Sequence, residues 1–156
     1  IPWLLSEVCK GKIVNEANNF ITDIGLNNSN AKMLNPNTTL IALVGATKGK
    51  TAYLTFSATT NQNIAGIYPK DIKVIDTKYL FYCCKGLYKE FEKLGKYKMA
   101  NLDFIRKLEI NVPDITTQKQ IVEKLEDLEN KINGLETNIE LYKSKINKIL
   151  DQILFE

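Results

Sequence analysis

Toward its C-terminal end the chain repeats apolar positions in alternating steps of four and three: Ile121, Leu125, Leu128, Ile132, Leu135, Ile139, Tyr142, Ile146, Ile149 and Ile153. With Leu125 at position a of a heptad, a holds Leu125, Ile132, Ile139, Ile146 and Ile153, and d holds Ile121, Leu128, Leu135, Tyr142 and Ile149. That is a coiled-coil seam. It predicts one helix whose seam runs roughly 48 Å, too long to be stable in water without a partner along it. The alternative is a helix folded back on its own domain; the strictness of the repeat favours the coiled coil. Pro113 disfavours helix at Val112. Thr117 and Gln120 form a T-x-x-Q capping box that places the helix start just before the periodic residues. Gly134 falls at an exposed c position and leaves the seam intact.

Upstream the period changes. Runs rich in β-branched residues, bounded by Gly, Asn and Pro, predict strands near 40–45, 51–57, 64–68, 72–75 and 108–112. One helix stands out between about Thr77 and Leu94, with Leu80, Cys84, Leu87, Phe91 and Leu94 on one stripe, Asp76 as N-cap and Gly95 as stop. Cys83 and Cys84 then read as small core residues, not reactive thiols. Residues 15–38, crowded with Asn, Thr and Ser, read as loop or short irregular strand. The fold class is α+β: a mixed α/β domain over residues 1–113, then one long C-terminal coiled-coil helix over 114–156.

The stretch LIALVGATKGKT, residues 40–51, raises the question of a phosphate-binding loop. A Walker A loop needs four residues between its glycines and a helix directly after it. Here only Ala46, Thr47 and Lys48 separate Gly45 from Gly49, and TAYLTFSATT follows with strand composition. The segment reads as a strand, a tight glycine turn carrying two lysines, and a second strand.

Composition narrows the function. The chain has 156 residues, 44% hydrophobic and 25% charged, which suits a globular protein with a real core. A start at Ile1 in place of Met is expected of a fragment or processed piece. No run approaches the length of a membrane span. Three cysteines, two of them adjacent, argue against a disulfide framework and for the cytoplasm. With no histidine, the commonest general base is missing. No metal-ligand spacing, cofactor motif or nucleophile motif is present, so neither an enzyme nor a bound metal or cofactor is expected. Residues 1–113 carry 15 basic against 9 acidic side chains, and 114–156 carry 6 against 9. A basic globular part suggests a polyanionic partner. Asp114, at the mouth of the long helix, suits its dipole.

That globular part offers amides and hydroxyls interspersed with lysines on presumed loops. Asn and Gln can pair with adenine, lysine with guanine or phosphate, and Ser or Thr with either. The candidate groups are Asn27, Asn28, Ser29 and Lys32; Thr47, Lys48 and Lys50; Thr59, Thr60, Asn61, Gln62 and Asn63; and Lys96, Lys98 and Asn101. Asn61 and Gln62 divide two ways: they touch bases, or they lock their loop by bonding its backbone. The competing functional reading is a coiled-coil assembly or scaffold protein whose globular head binds another protein.

Four segments, in order, resemble the specificity subunits of type I restriction–modification systems: PWLLSEVCKG (2–11), LNPNTTLIALVGATKGKTAYLTF (34–56), TTNQNIAGIYPK (59–70) and INVPDITTQKQIVEKL (110–125). In the last, Pro113, Gln118 and Ile121 match the family's stretch that opens a long helix, while Asp114 stands for its second proline and Thr117 for its glutamate. The resemblance implies a target recognition domain that reads one half of a split sequence in double-stranded DNA, followed by one spacer helix: half a subunit. It also implies methyltransferase subunits as partners, a second recognition domain or a second copy met through the long helix, and an antiparallel arrangement of the paired helices. No membrane partner is implied.

Overall fold

The computed structural model describes residues 1–95 and 98–155; the candidate Lys96 lies outside the described residues. The chain divides into two units, Ile1–Lys119 and Gln120–Glu156.

The first unit is built on two sheets. Strands β1 (Pro2–Leu4), β3 (Asn19–Phe20) and β6 (Thr59–Thr60) form a small sheet in the order β3-β1-β6. β2 (Lys12–Val14), β4 (Thr38–Ala42), β5 (Thr51–Leu54) and β7 (Ile64–Ile67) form a larger one in the order β2-β5-β4-β7. β4 pairs antiparallel with β5 and β7, whereas β2 and β5 run parallel. Side chains alternate across a strand, and β4 is buried on both faces. Leu40 and Ala42 join Leu4, Cys9, Ala52, Leu54, Ala58 and Ile64 in one core. Ile41 and Leu43 point the other way, into a second core with Ala65, Leu80, Cys84, Phe91 and Ala100. Two-sided burial is why the sequence from Leu40 to Val44, which covers the end of this strand, reads as an unbroken apolar run. Burial also pushes the Cys9 and Cys84 thiols up to about 12, which makes them inert core residues.

Among the described residues four α-helices lie wholly within the unit: α1 (Asp23–Asn27), α2 (Thr77–Gly86), α3 (Tyr88–Lys93) and α4 (Leu102–Arg106). The predicted stripe holds, with Leu80, Cys84 and Phe91 buried. Asp76 caps α2 as expected, its carboxylate accepting from the N–H groups of Lys78 and Tyr79, both at 2.9 Å. The single helix over 77–94 is corrected to two. After Gly86, Leu87 adopts φ −78° and ψ 2°, and its N–H is shared between the carbonyls of Cys83 and Cys84; glycine offers the helix little resistance to breaking there.

Other expectations are corrected too. Residues 72–75 form a turn, because Asp71 accepts from Lys73 N–H through its side chain and from Val74 and Ile75 N–H through its carbonyl. Residues 108–112 have no regular secondary structure and pair with no strand among the described residues. Residues 15–38 contain α1, capped by Thr22, whose hydroxyl accepts from Gly25 N–H at 3.0 Å.

The described residues of the second unit lie within α5 (Ile115–Phe155), the long helix the heptads predict. The helix begins two residues ahead of Thr117, so Thr117 is not its N-cap. Asp114 takes that role: Oδ1 accepts from Thr117 N–H at 3.0 Å and Oδ2 from the Thr117 hydroxyl. These bonds hold the Asp114 carboxyl below the usual carboxylate range. From Leu128 to Ile153 every seam residue is more than half exposed.

Candidate nucleic-acid interface

Strand pairing decides which turns share a side of the globular unit. The pairs Ile41↔Thr51 and Ala42↔Ile64 set the end of β4 beside the starts of β5 and β7. β2 runs parallel to β5, with Lys12 opposite Ala52, so Lys10 and Gly11 arrive at the same end; Gly11 N–H donates to the Thr51 carbonyl at 2.7 Å. Leu43 N–H donates to the Asn63 carbonyl at 2.8 Å, and Ala100 N–H to the Leu43 carbonyl at 3.1 Å. One end of the larger sheet therefore gathers residues 10–11, 43–50, 61–63 and the neighbourhood of Ala100. Four strand ends at their usual spacing span roughly 14 Å, comparable to a DNA major groove about 12 Å wide.

The turn between β4 and β5 is a short 3-10 turn, Gly45–Thr47, and no helix follows it. The strand–turn–strand reading of LIALVGATKGKT is the observed one. Gly45 and Gly49 take φ of 72° and 78°, a region that glycine enters without steric cost. A Cβ at Gly49 would also come within 2.5 Å of Phe91 Cβ.

The candidate side chains sort by what they already do. The ammonium of Lys48 donates to the Gly95 carbonyl and, at 2.9 Å, to the Lys98 carbonyl, so it ties the turn to the chain around residue 98. Asn61 Oδ1 accepts from Asn63 N–H at 3.1 Å, the backbone lock that is one of its two expected roles. Asn101 Oδ1 accepts from Phe104 N–H at 2.8 Å and caps α4. Ser29 donates to the Leu26 carbonyl and accepts from Ala31 N–H, both at 3.2 Å. Thr59 is fully buried and faces no partner from solvent. Lys48, Asn61, Asn101 and Ser29 thus shape the loops. Lys32, Lys50, Gln62 and Lys98, by contrast, are exposed, and their side chains make no hydrogen bond or ion pair among the described residues.

Ser29, Lys32, Thr60, Asn61 and Gln62 line one open groove of about 780 Å³, floored by Leu34, Ile64 and Gly66. The structure thus brings Ser29 and Lys32 together with Thr60, Asn61 and Gln62, while Asn27, Asn28, Thr59 and Asn63 do not line the groove. Thr47, Lys48, Lys50 and Lys98 share the sheet end but do not line that groove. Sequence reasoning passed over Lys10, which only the β2–β5 pairing carries to this side; no local spacing signals it. Among the described residues there is no group of three or more His, Cys, Asp or Glu that could hold a metal. No helix among them is long and apolar enough to cross a membrane.

Comparison with known proteins adds a family and a fold. The family model described as "Type I restriction modification DNA specificity domain" matches residues 6–143. One solved structure, reported as the structural basis of complex assembly and conformational transition of the type I R-M system, is similar over 98% of this chain and 37% of its own, with TM-score 0.77 and 16% identity. The crystal structure of the HsdS subunit from Thermoanaerobacter tengcongensis is similar over 88% of this chain and 32% of its own, with TM-score 0.65 and 17% identity. The chain spans about a third of the length of these solved chains, and at such identities the likeness is one of fold.

Proposed function

The chain belongs to the type I restriction modification DNA specificity domain family, and from that premise we propose that it is a non-catalytic module that reads a double-stranded DNA sequence and so specifies the target of a restriction–modification complex. One observation carries the reading: the basic and amide-bearing turns, separate in sequence, converge at one end of the β2-β5-β4-β7 sheet. Residues 1–113 act as the target recognition domain. Exposed Gln62 and Lys32 are its base-reaching side chains, and Lys50 and Lys98 supply phosphate charge. Asn61, Asn101, Ser29 and Lys48 hold the loops that present them. Residues 114–156 act as the spacer helix, whose exposed seam meets a second copy or a second recognition domain and whose outer face meets methyltransferase subunits. A protein of this role works beside cellular DNA, in the cytoplasm.

The test is selection from a pool of random duplex at moderate salt, with sequencing of the retained fraction. Enrichment of a short motif is expected. Uniform recovery of all sequences, or no retention at all, overturns the proposal.

A further inference from the structure

The Gly-Lys-Thr triplet that fails as a P-loop lines a cavity all the same. Gly49, Lys50 and Thr51 lead into β5 on one side. Lys10 and Gly11 lie ahead of β2 on another, and Lys85 of α2 and Tyr88 of α3 close the third. The cavity is open to solvent, its volume is about 440 Å³, and none of its lining residues is acidic. Lys10 and Lys50 are exposed and have no side-chain partner among the described residues. Lys85 is fixed in place: its ammonium donates to the Gly11 carbonyl at 3.1 Å and stands 5.8 Å from the Phe81 ring centroid and 5.9 Å from that of Tyr82. Thr51 is 1% exposed, and its hydroxyl has no hydrogen-bond partner among the described residues. The buried hydroxyls of Thr39 and Thr59 are unpaired in the same way, so it is the three lysines that give the cavity its character.

Such a cavity suits an anion with several acceptor oxygens. Its position indicates which anion. The cavity opens at the sheet end that carries the polar turns, with β5 two strands from β7 and residues 61–63, a separation of about 10 Å at ordinary strand spacing. We propose that this cavity seats a backbone phosphate of the bound DNA, held by Lys10 and Lys50, with Lys85 as a fixed charge. The assignment rests on the DNA-recognition reading and adds to it a phosphate seat distinct from the groove of Ser29, Lys32 and Gln62.

The experiment compares three forms of the full chain on a random-sequence duplex across a salt series: the unmutated protein, the double variant Lys10→Ala with Lys50→Ala, and the charge-matched control Lys73→Ala with Lys107→Ala, whose exposed lysines lie outside the cavity. Loss of one phosphate contact flattens the slope of log K against log salt by about 0.9. That flattening is expected for the cavity variant and not for the control. Equal slopes in both variants overturn the seat. Amide shifts of Gly11, Gly49 and Thr51 provide a readout that needs no duplex. A dinucleoside phosphodiester should move them saturably, and the double variant should abolish the response. No response overturns the cavity even if the duplex binds. A stronger response to inorganic phosphate than to the diester makes free phosphate the ligand and overturns the backbone assignment. Failure of the unmutated chain to bind any duplex, with the diester response intact, removes the DNA-recognition reading and not the site.

Discussion

Gln118 Oε1 accepts the backbone N–H of Asp76 at 2.8 Å, and Asp76 in turn caps α2 with its carboxylate. The Gln118 amide nitrogen donates to the carbonyls of Val74 at 2.8 Å and Pro113 at 2.7 Å. One fully buried side chain therefore satisfies three backbone groups, binding the start of α5 to the start of α2 within the globular unit.

Replacing Gln118 with Leu keeps the volume but leaves those three groups unpaired. Each buried unpaired group costs about 1–3 kcal/mol, so Gln118→Leu should destabilise by at least about 2 kcal/mol in urea melts. Gln118→Glu should also destabilise, because a carboxylate oxygen would face two carbonyls. A variant with unchanged midpoint would mean that the network carries no net stability.

Gly49 and Gly45 make a paired test of why the β4–β5 turn needs its glycines. Both have positive φ, and an alanine in that region costs about 1–2 kcal/mol. At Gly45 nothing lies within 4 Å of an added Cβ, whereas at Gly49 it meets Phe91. Overpacking adds about 1–3 kcal/mol. Gly45→Ala should lower stability modestly and Gly49→Ala by clearly more, the difference reporting the Phe91 contact. Equal losses in the two melts would assign the whole effect to backbone strain.

Part of this architecture was legible because its causes are local. The apolar run that predicts a strand near 40–45, observed as β4 over Thr38–Ala42, follows from burial on both faces of that strand. The α2 stripe and the Asp76 cap follow from helix period and from a carboxylate beside free N–H groups, and the α5 seam from the heptad. What was missed has distant causes. β1, β2 and β6 are two or three residues long and exist through pairing with remote segments, so no local alternation marks them. Val74 and Ile75 have strand composition, yet Asp71 turns the chain there. Gln118 looks like any polar helix residue until Asp76 and Val74, more than 40 positions away, bury it. The site divides in the same way: residue type nominated Gln62 and Lys50, but only pairing across the sheet end adds Lys10 and shows Lys48 and Asn101 engaged with backbone.

Asp114 gives the first turn of α5 a pH dependence. Its carboxyl is held below the ordinary value chiefly by the Thr117 hydroxyl and N–H. A depressed folded-state value means that the contribution is present above the unfolded carboxylate pKa and is lost as pH falls through the folded one. The stability difference between the unmutated chain and Asp114→Ala should therefore be constant near neutrality and shrink on acidification below the usual carboxylate range. Thermal melts along a pH series check this, and a difference independent of pH would remove the charge from the capping role.

The exposed seam argues for association. Ile132, Leu135, Ile139, Tyr142, Ile146, Ile149 and Ile153 are each more than half exposed in the single chain, and full burial of such a side chain is worth roughly 1.5–3 kcal/mol. Isoleucine at a and leucine at d ordinarily favour a parallel pair. Here Tyr142 stands at d, and Lys143 and Lys145 flank it at e and g with the same sign, which leaves a parallel register poorly specified. An antiparallel pair would also set two recognition domains at opposite ends, the arrangement that reading a split sequence under the proposed function would need. Lysine at both Ile132 and Ile139 should give a monomer by sedimentation with its globular unit folded, and affinity for a duplex with two half-sites should fall far more than affinity for a single half-site. Equal losses on both duplexes would place the seam outside DNA recognition, and an unmutated chain that stays monomeric at high micromolar concentration would assign the seam to a different helix.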